Sequence, residues 1–157
     1  MNRLAIIALL MAASPALMSG ALAAPNGAAV YNANCAYCHQ AGGVGVPGQF
    51  PRLESRVGVI ASNPEGRDFL ITLLLNGMAG HVVVDNQPIM GLMPSFATLP
   101  DADIAAVLNY VSGLGKTKTK FPPFTEKQIA PQRGGRVLLP NEVAIQRANL
   151  ATAKIIP

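Results

Sequence analysis

Cys35-Ala36-Tyr37-Cys38-His39 constrains this chain more than any other stretch. The chain has two cysteines and two histidines, and three of those four residues fall within this one pentapeptide. A C-x-x-C-H run is the attachment signature of c-type haem. The two thiols add across the vinyl groups of the porphyrin and become thioethers. The histidine that follows is then placed under the ring as the proximal iron ligand. A chain organised this way folds as a wrapper around one flat prosthetic group.

Other chemistries fit the motif less well. A thioredoxin-like C-x-x-C follows a strand in a βαβ pattern. Here Gly27 to Asn34 precedes it, with Ala28, Ala29, Val30 and Ala33, and reads as a helix. A structural zinc site needs four ligands, and only His81 remains to join the motif, with carboxylates needed to complete the set. A disulfide between Cys35 and Cys38 would close a strained, very short loop.

The N-terminus supplies a cellular address. Arg3 is a positive n-region, Leu4 to Ala13 an uncharged apolar run, and Ala21-Leu22-Ala23 a small-x-small cleavage pattern. Residues 1–23 are therefore expected to be a signal peptide cut after Ala23. The apolar run is too short for a spanning helix, which needs about 20 apolar residues, so no membrane span is expected. The address is the periplasm or its equivalent, where haem is attached after export.

The mature chain reads as a haem domain over 24–115 and a basic, proline-containing extension over 116–157. Asn63-Pro64-Glu65 marks a helix start, with a cap, a first-turn proline and an acid at the positive dipole end. Phe69, Leu70, Leu73 and Leu74 follow, and Gly77 is the stop. Val82 to Val84 with Asp85-Asn86 predicts a short extended piece and a turn; Ile89 to Leu99 reads as a loop. Asp101 to Leu114 is the clearest helix, with Ile104, Val107, Leu108 and Val111 at i, i+3, i+4 and i+7. Phe121-Pro122-Pro123-Phe124 predicts extended backbone. Beyond it lie a short helix from Thr125 and a weak one from Asn141 to Ala153. No internal repeat appears, hence no second haem.

Charge divides the two segments. The haem domain holds three basic residues against six acids, whereas the extension holds eight against two. The basic extension therefore either folds back on its own acidic domain, stays solvated, or meets an acidic partner. Export argues against nucleic acid.

A second iron ligand separates a closed electron carrier from an open, ligand-binding iron. Met78, Met90, Met93 and His81 are available. Met93, in Gly91-Leu92-Met93-Pro94, is favoured: a loop can bring a soft thioether to iron, and Pro94 stiffens the approach. Met90 ranks second and His81 third.

With these residues placed, Ala24 to Leu114 resembles a class I cytochrome c. Gly27 and Tyr31 match the glycine and aromatic of the first helix, Cys35, Cys38 and His39 the haem motif, and Met93-Pro94-x-Phe96 the distal loop. Leu99-Pro100-Asp101 with Tyr110 matches the last helix, which packs across the first. The resemblance implies an all-α fold of about four helices around one covalent haem c, with an extended C-terminal tail. It implies that the carbonyl of Pro47 accepts from the other nitrogen of the proximal histidine. Pro47-x-x-Phe50-Pro51-x-Leu53 and Asn76-Gly77-x-x-Gly80 are similar to cytochrome subunits of periplasmic dehydrogenases. Arg52 replaces a proline of that pattern, which makes it a candidate partner for a haem propionate or a solvated arginine.

The function expected is one-electron transfer and not enzymatic turnover. The partners expected are a periplasmic dehydrogenase upstream and an oxidase or another cytochrome downstream. Ala36, Val44, Val46, Ile89 and Leu92 are candidates for an apolar rim at the exposed haem edge, and the extension from Phe121 onward is expected to be a docking arm. The alternatives are a freely diffusing carrier to a terminal oxidase, or a ligand sensor or small-molecule redox enzyme if the sixth ligand is labile.

Overall fold

Helix α1 (Gly27–Asn34) begins where the Asn26 side chain accepts from the backbone N–H groups of Ala28 and Ala29. A computed structural model of the chain describes residues 25–116 and 120–157. The expected signal peptide over 1–23, and Thr117 to Thr119 of the basic stretch, lie outside the described residues. α1 crosses α5 (Asp101–Ser112) at Gly27, where a Cβ would come within 2.2 Å of the Ala106 carbonyl oxygen. Any larger residue would hold the helices apart. Tyr31, fully buried one turn later, packs its ring against Tyr110 with centroids 5.3 Å apart.

Between these helices the chain makes a one-turn helix α2 (Ala36–His39), a 3₁₀ turn at Ala41–Gly43, and helices α3 (Val57–Ala61) and α4 (Pro64–Asn76). The start and stop signals of α4 act as the sequence predicts. Asn63 accepts from the Glu65 N–H, Pro64 opens the helix, and Gly77 takes φ 73° after it. Phe69, Leu70, Ile71, Leu74 and Leu75 of α4 meet Ile104, Val107, Leu108 and Val111 of α5 in one core.

The fold is mostly helical but not all-α. Met78–Val84 (β1) and Gln87–Met93 (β2) form an antiparallel hairpin, so Ile89 to Met93 is strand where loop was expected. Asp85 and Asn86 sit at its tip with φ of 51° and 62°, the left-handed pair that a two-residue hairpin turn requires. The irregular composition of Pro88 and Gly91 hides the alternation that would reveal this strand.

The extension is not an extended tail: the helices expected from Thr125 and over Asn141 to Ala153 are both present. It forms helices α6 (Glu126–Arg133) and α7 (Pro140–Thr152) and packs back on α4, α5 and β1. Phe124, Ile129, Val143 and Ile156 are all buried. Arg67 of α4 is the clasp: it donates to the carbonyls of Pro122 (2.7 Å) and Pro123 (3.2 Å), and its guanidinium lies 3.9 Å from the Phe124 ring centre. Asn109 holds the Phe124 backbone in both directions, accepting from its N–H (2.7 Å) and donating to its carbonyl (3.0 Å). Arg133 pairs with Asp101 at 2.7 Å, which joins the basic extension to the acidic domain. Val137, Leu139 and Ile145 of the extension stay exposed. Among the described residues the fold thus has seven α-helices rather than about four. No helix among them is long and apolar enough to cross a membrane.

Candidate haem site

The core closes around a cavity of about 460 Å³. Its walls are mainly apolar, from Phe69, Leu70 and Leu74 of α4, Leu108 and Val111 of α5, and the hairpin. Cys35, Cys38 and His39 stand together on one side of it.

That side is held by short-range backbone bonds. The Cys35 N–H ends α1 on the Tyr31 carbonyl (2.8 Å), and the His39 N–H donates to the Cys35 carbonyl (2.9 Å). The Tyr31 hydroxyl donates to the Gln40 carbonyl at 2.6 Å, and burial pushes its own proton affinity up to about 12. Cys35 and Cys38 are free thiols, spaced one helical turn apart. Burial, with the neighbouring Cys38, raises Cys35 to about 11, so its sulfur keeps its proton.

His39 is buried, and its Nδ1 lies 2.9 Å from the Pro51 carbonyl oxygen. That bond occupies Nδ1 and leaves Nε2 for a ligand. Burial lowers the His39 pKa, which favours the neutral imidazole a metal requires. The acceptor is Pro51 and not Pro47. Val46 and Phe50 bond each other in both directions at 2.8 Å, so Pro47 rides the exposed tip of a tight turn. The returning strand brings the next proline carbonyl to the imidazole. The resemblance pointed to Pro47 alone; the pairing of Val46 with Phe50 brings Pro51 there instead.

The hairpin forms the other side, and its period of two sorts the candidate ligands. Directly paired residues share a face. Val82, Val84 and Ile89 are buried on the inner face, and Met78 and Met93 form a register pair on that same face. His81 and Met90 are partners on the opposite face, where His81 is exposed and Met90 is 73% exposed. Two thioethers therefore point inward. Met78 packs among Val82, Val84 and Ile89. Met93 stands where β2 gives way to Pro94, and the chain after it is tied to the end of α4: the Phe96 N–H donates to the Leu74 carbonyl (2.7 Å) and the Ser95 hydroxyl to that of Leu75 (2.6 Å). These bonds satisfy carbonyls that a helix end leaves open. A Cβ on Gly77 would come within 2.6 Å of the Met93 carbonyl oxygen.

Arg52 lines the cavity, but its fork is engaged by Asp85 at 2.8 and 3.0 Å. The hairpin turn that presents Asp85 was not expected to reach it. Arg56 shares Asp85 at 3.2 Å and donates to the Pro157 main-chain oxygen at 2.5 Å. Of the expected rim, Val44 and Leu92 are exposed, whereas Ile89 is buried in the wall. Sequence reasoning missed Arg56, Arg147 and Ile156 as cavity residues, because two of them belong to the extension.

The donor set fits a c-type haem: two free thiols and a neutral, oriented imidazole on one wall, an inward thioether on the other, and apolar surface between. Residues 22–111 match the family model for subunit III of cbb3-type cytochrome c oxidase. Two proteins described as cytochrome c-552, both from Thermus thermophilus, are each 41% identical to the chain. One aligns over 83% of this chain and 88% of its own length, the other over 80% and 96%.

Proposed function

The chain belongs to the cytochrome c family, as a single-haem c-type electron-transfer protein, and on that premise we propose that it carries single electrons in the periplasm through one covalent haem held by His39 and Met93. The haem supplies a ferric/ferrous couple. Cys35 and Cys38 would hold the haem as thioethers to its two vinyl groups. His39 binds through Nε2, and its Nδ1–H donates to Pro51, which fixes the ring plane and raises its basicity. Met93 would offer the iron a soft thioether, which would favour the ferrous state and raise the potential. Phe69, Leu70, Leu108 and Val111 exclude water, which keeps reorganisation on electron transfer small.

The inward register of Met93 is the observation that carries this reading, since it faces the cavity that Cys35, Cys38 and His39 share. A filled sixth position favours a carrier over a ligand sensor or redox enzyme.

Residues 1–23 direct export. The electron donor is a periplasmic dehydrogenase, and the acceptor is an oxidase or another cytochrome. Met90, Leu92 and Tyr37, 73%, 69% and 91% exposed, supply apolar contact near the cavity and the thioether residues. Redox encounters bury little surface, and such a patch suits brief docking. The folded-back extension supports a self-contained, diffusing carrier. Native purification from the host, with haem absorbance followed through size exclusion, tests the partnership. Haem eluting at monomer size with rapid reduction by an added dehydrogenase fraction is the expected result. Haem that elutes within a large complex and resists salt would replace diffusion by a permanent subunit.

A further inference from the structure

The two candidate iron ligands that the hairpin turns away from Met78 and Met93 are turned toward each other. His81 of β1 and Met90 of β2 are register partners, and both are exposed on the outer face. Side chains directly opposite on an antiparallel pair start with their Cβ atoms about 4.5–5.5 Å apart. An imidazole nitrogen and a thioether sulfur so placed can close on one ion between them. Nothing beside them on that face competes. The outer-face pairs on either side are Val83 with Pro88 and Ala79 with Leu92, and none of these four side chains carries a donor atom. Asp85, the hairpin's one carboxylate, is engaged by Arg52 and Arg56. Among the described residues no set of three His, Cys, Asp or Glu side chains that could hold a metal ion includes His81.

We propose that His81 and Met90 form a surface site for a single copper(I) ion. The donor types select the metal. Soft thioethers select copper(I), and imidazole also suits copper. Zinc needs four ligands at a structural site and three with water at a catalytic one. Magnesium and calcium need a cage of oxygens. The outer face provides neither set. Copper(I) is closed-shell and monovalent, so two donors suffice and no carboxylate is needed to balance its charge. Val83 and Leu92, 50% and 69% exposed, flank the pair with apolar surface. That surface sheds water from the ion and disfavours harder cations, which give up hydration only in exchange for more ligands. The site uses no atom of His39 or Met93, and it stands apart from the haem reading.

The test uses the full-length protein as wild type, His81→Gln, Met90→Leu and the double variant, kept reduced without oxygen and with any free thiol alkylated. Titration of copper(I) against a chromophoric chelator should show one equivalent held by wild type and none by the double variant. His81→Gln and Met90→Leu should each weaken binding by at least about tenfold, since the loss of even a supporting hydrogen bond costs a metal site that much. In wild type, copper(I) should shift the NMR resonances of the His81 ring and the Met90 methyl together and leave those of Met78 in place. That readout needs no variant to fold. Equal copper(I) uptake by wild type and the double variant would overturn the site. So would His81 and Met90 resonances that stay unmoved at one equivalent. Zinc(II) held as tightly as copper(I) would overturn the assignment of a soft metal.

Discussion

The two walls of the cavity are built in opposite ways. On the cysteine wall, every bond that fixes the site is local: the partners of His39, Tyr31 and Cys35 lie within 12 residues along the chain. The hairpin wall also draws on distant chain: Ser95 just after it bonds Leu75 20 residues back, and Arg147 of α7 reaches Val83 across 64 residues. A local wall resists damage elsewhere, while a wall assembled from distant segments depends on all of them. The difference teaches that the proposed anchor needs only its own neighbourhood, whereas the hairpin that carries the proposed distal ligand also leans on more distant chain.

Truncation after Gly115 tests that dependence most severely. Burial of Phe124, Ile129, Val143 and Ile156 is worth roughly 1.5–3 kcal/mol each. Their loss approaches the roughly 5–15 kcal/mol total of a typical domain. The truncated chain should fail to accumulate as folded holoprotein, judged by haem yield and urea unfolding. A truncated protein with native spectrum and midpoint would restore the docking arm.

Arg67→Ala removes the clasp alone. It leaves the Pro122 and Pro123 carbonyls without their donor and strips the contact over Phe124. The expected loss is about 2–4 kcal/mol in urea unfolding, with Arg67→Lys losing less. A native midpoint for Arg67→Ala would mean the extension is held by other contacts.

Gly77→Ala strains a left-handed position and crowds the Met93 carbonyl. We expect about 1–3 kcal/mol of destabilisation and weaker sixth ligation, seen as cyanide binding faster than to wild type. Gly42→Ala, a left-handed glycine on the cysteine wall with nothing within 4 Å of its Cβ, should carry the backbone strain without opening the iron. Equal cyanide rates in the two variants would erase the contrast between the walls.

The smallest effect belongs to Asp85. Its hydrogen bonds to Arg52 hold its pKa below the usual 3.8. A depressed folded pKa contributes stability above the unfolded value and loses it as pH falls through the folded one. Asp85 is 43% exposed, so solvent screens the pair, and Asp85→Asn should cost at most about 1 kcal/mol at neutral pH. Wild type and Asp85→Asn should converge in stability only once the pH falls below the lowered folded pKa of Asp85, under 3.8. A gap that persists there would assign the effect to the turn backbone instead.

Much of the cysteine wall was legible in the sequence because its signals are local: Gly27 to Asn34 as a helix and Cys35-x-x-Cys38-His39 as a haem signature; Asn63 as a cap and Gly77 as a stop marked α4 in the same way. Pro47 was mistaken for Pro51 because two prolines four residues apart present the same pattern, and a cross-turn pair of bonds decides between them. The β2 strand was missed because Pro88 and Gly91 break its alternation. The helices of the extension were legible, whereas its packing was left among alternatives because its few buried residues, spread from Phe124 to Ile156, give little local periodicity. Met93 was singled out from a loop and Pro94, whereas its inward face is set by the strand register opposite Met78, a feature no local pattern conveys.

The decisive measurement is the ferric absorption and cyanide affinity of Met93→Ala beside Met90→Ala and Met78→Ala. Met93→Ala should convert the iron to a high-spin form that binds cyanide readily, while Met90→Ala stays as wild type and Met78→Ala keeps its sixth ligand. An unchanged spectrum in Met93→Ala, or an open iron in Met90→Ala, would contradict the account of the distal wall.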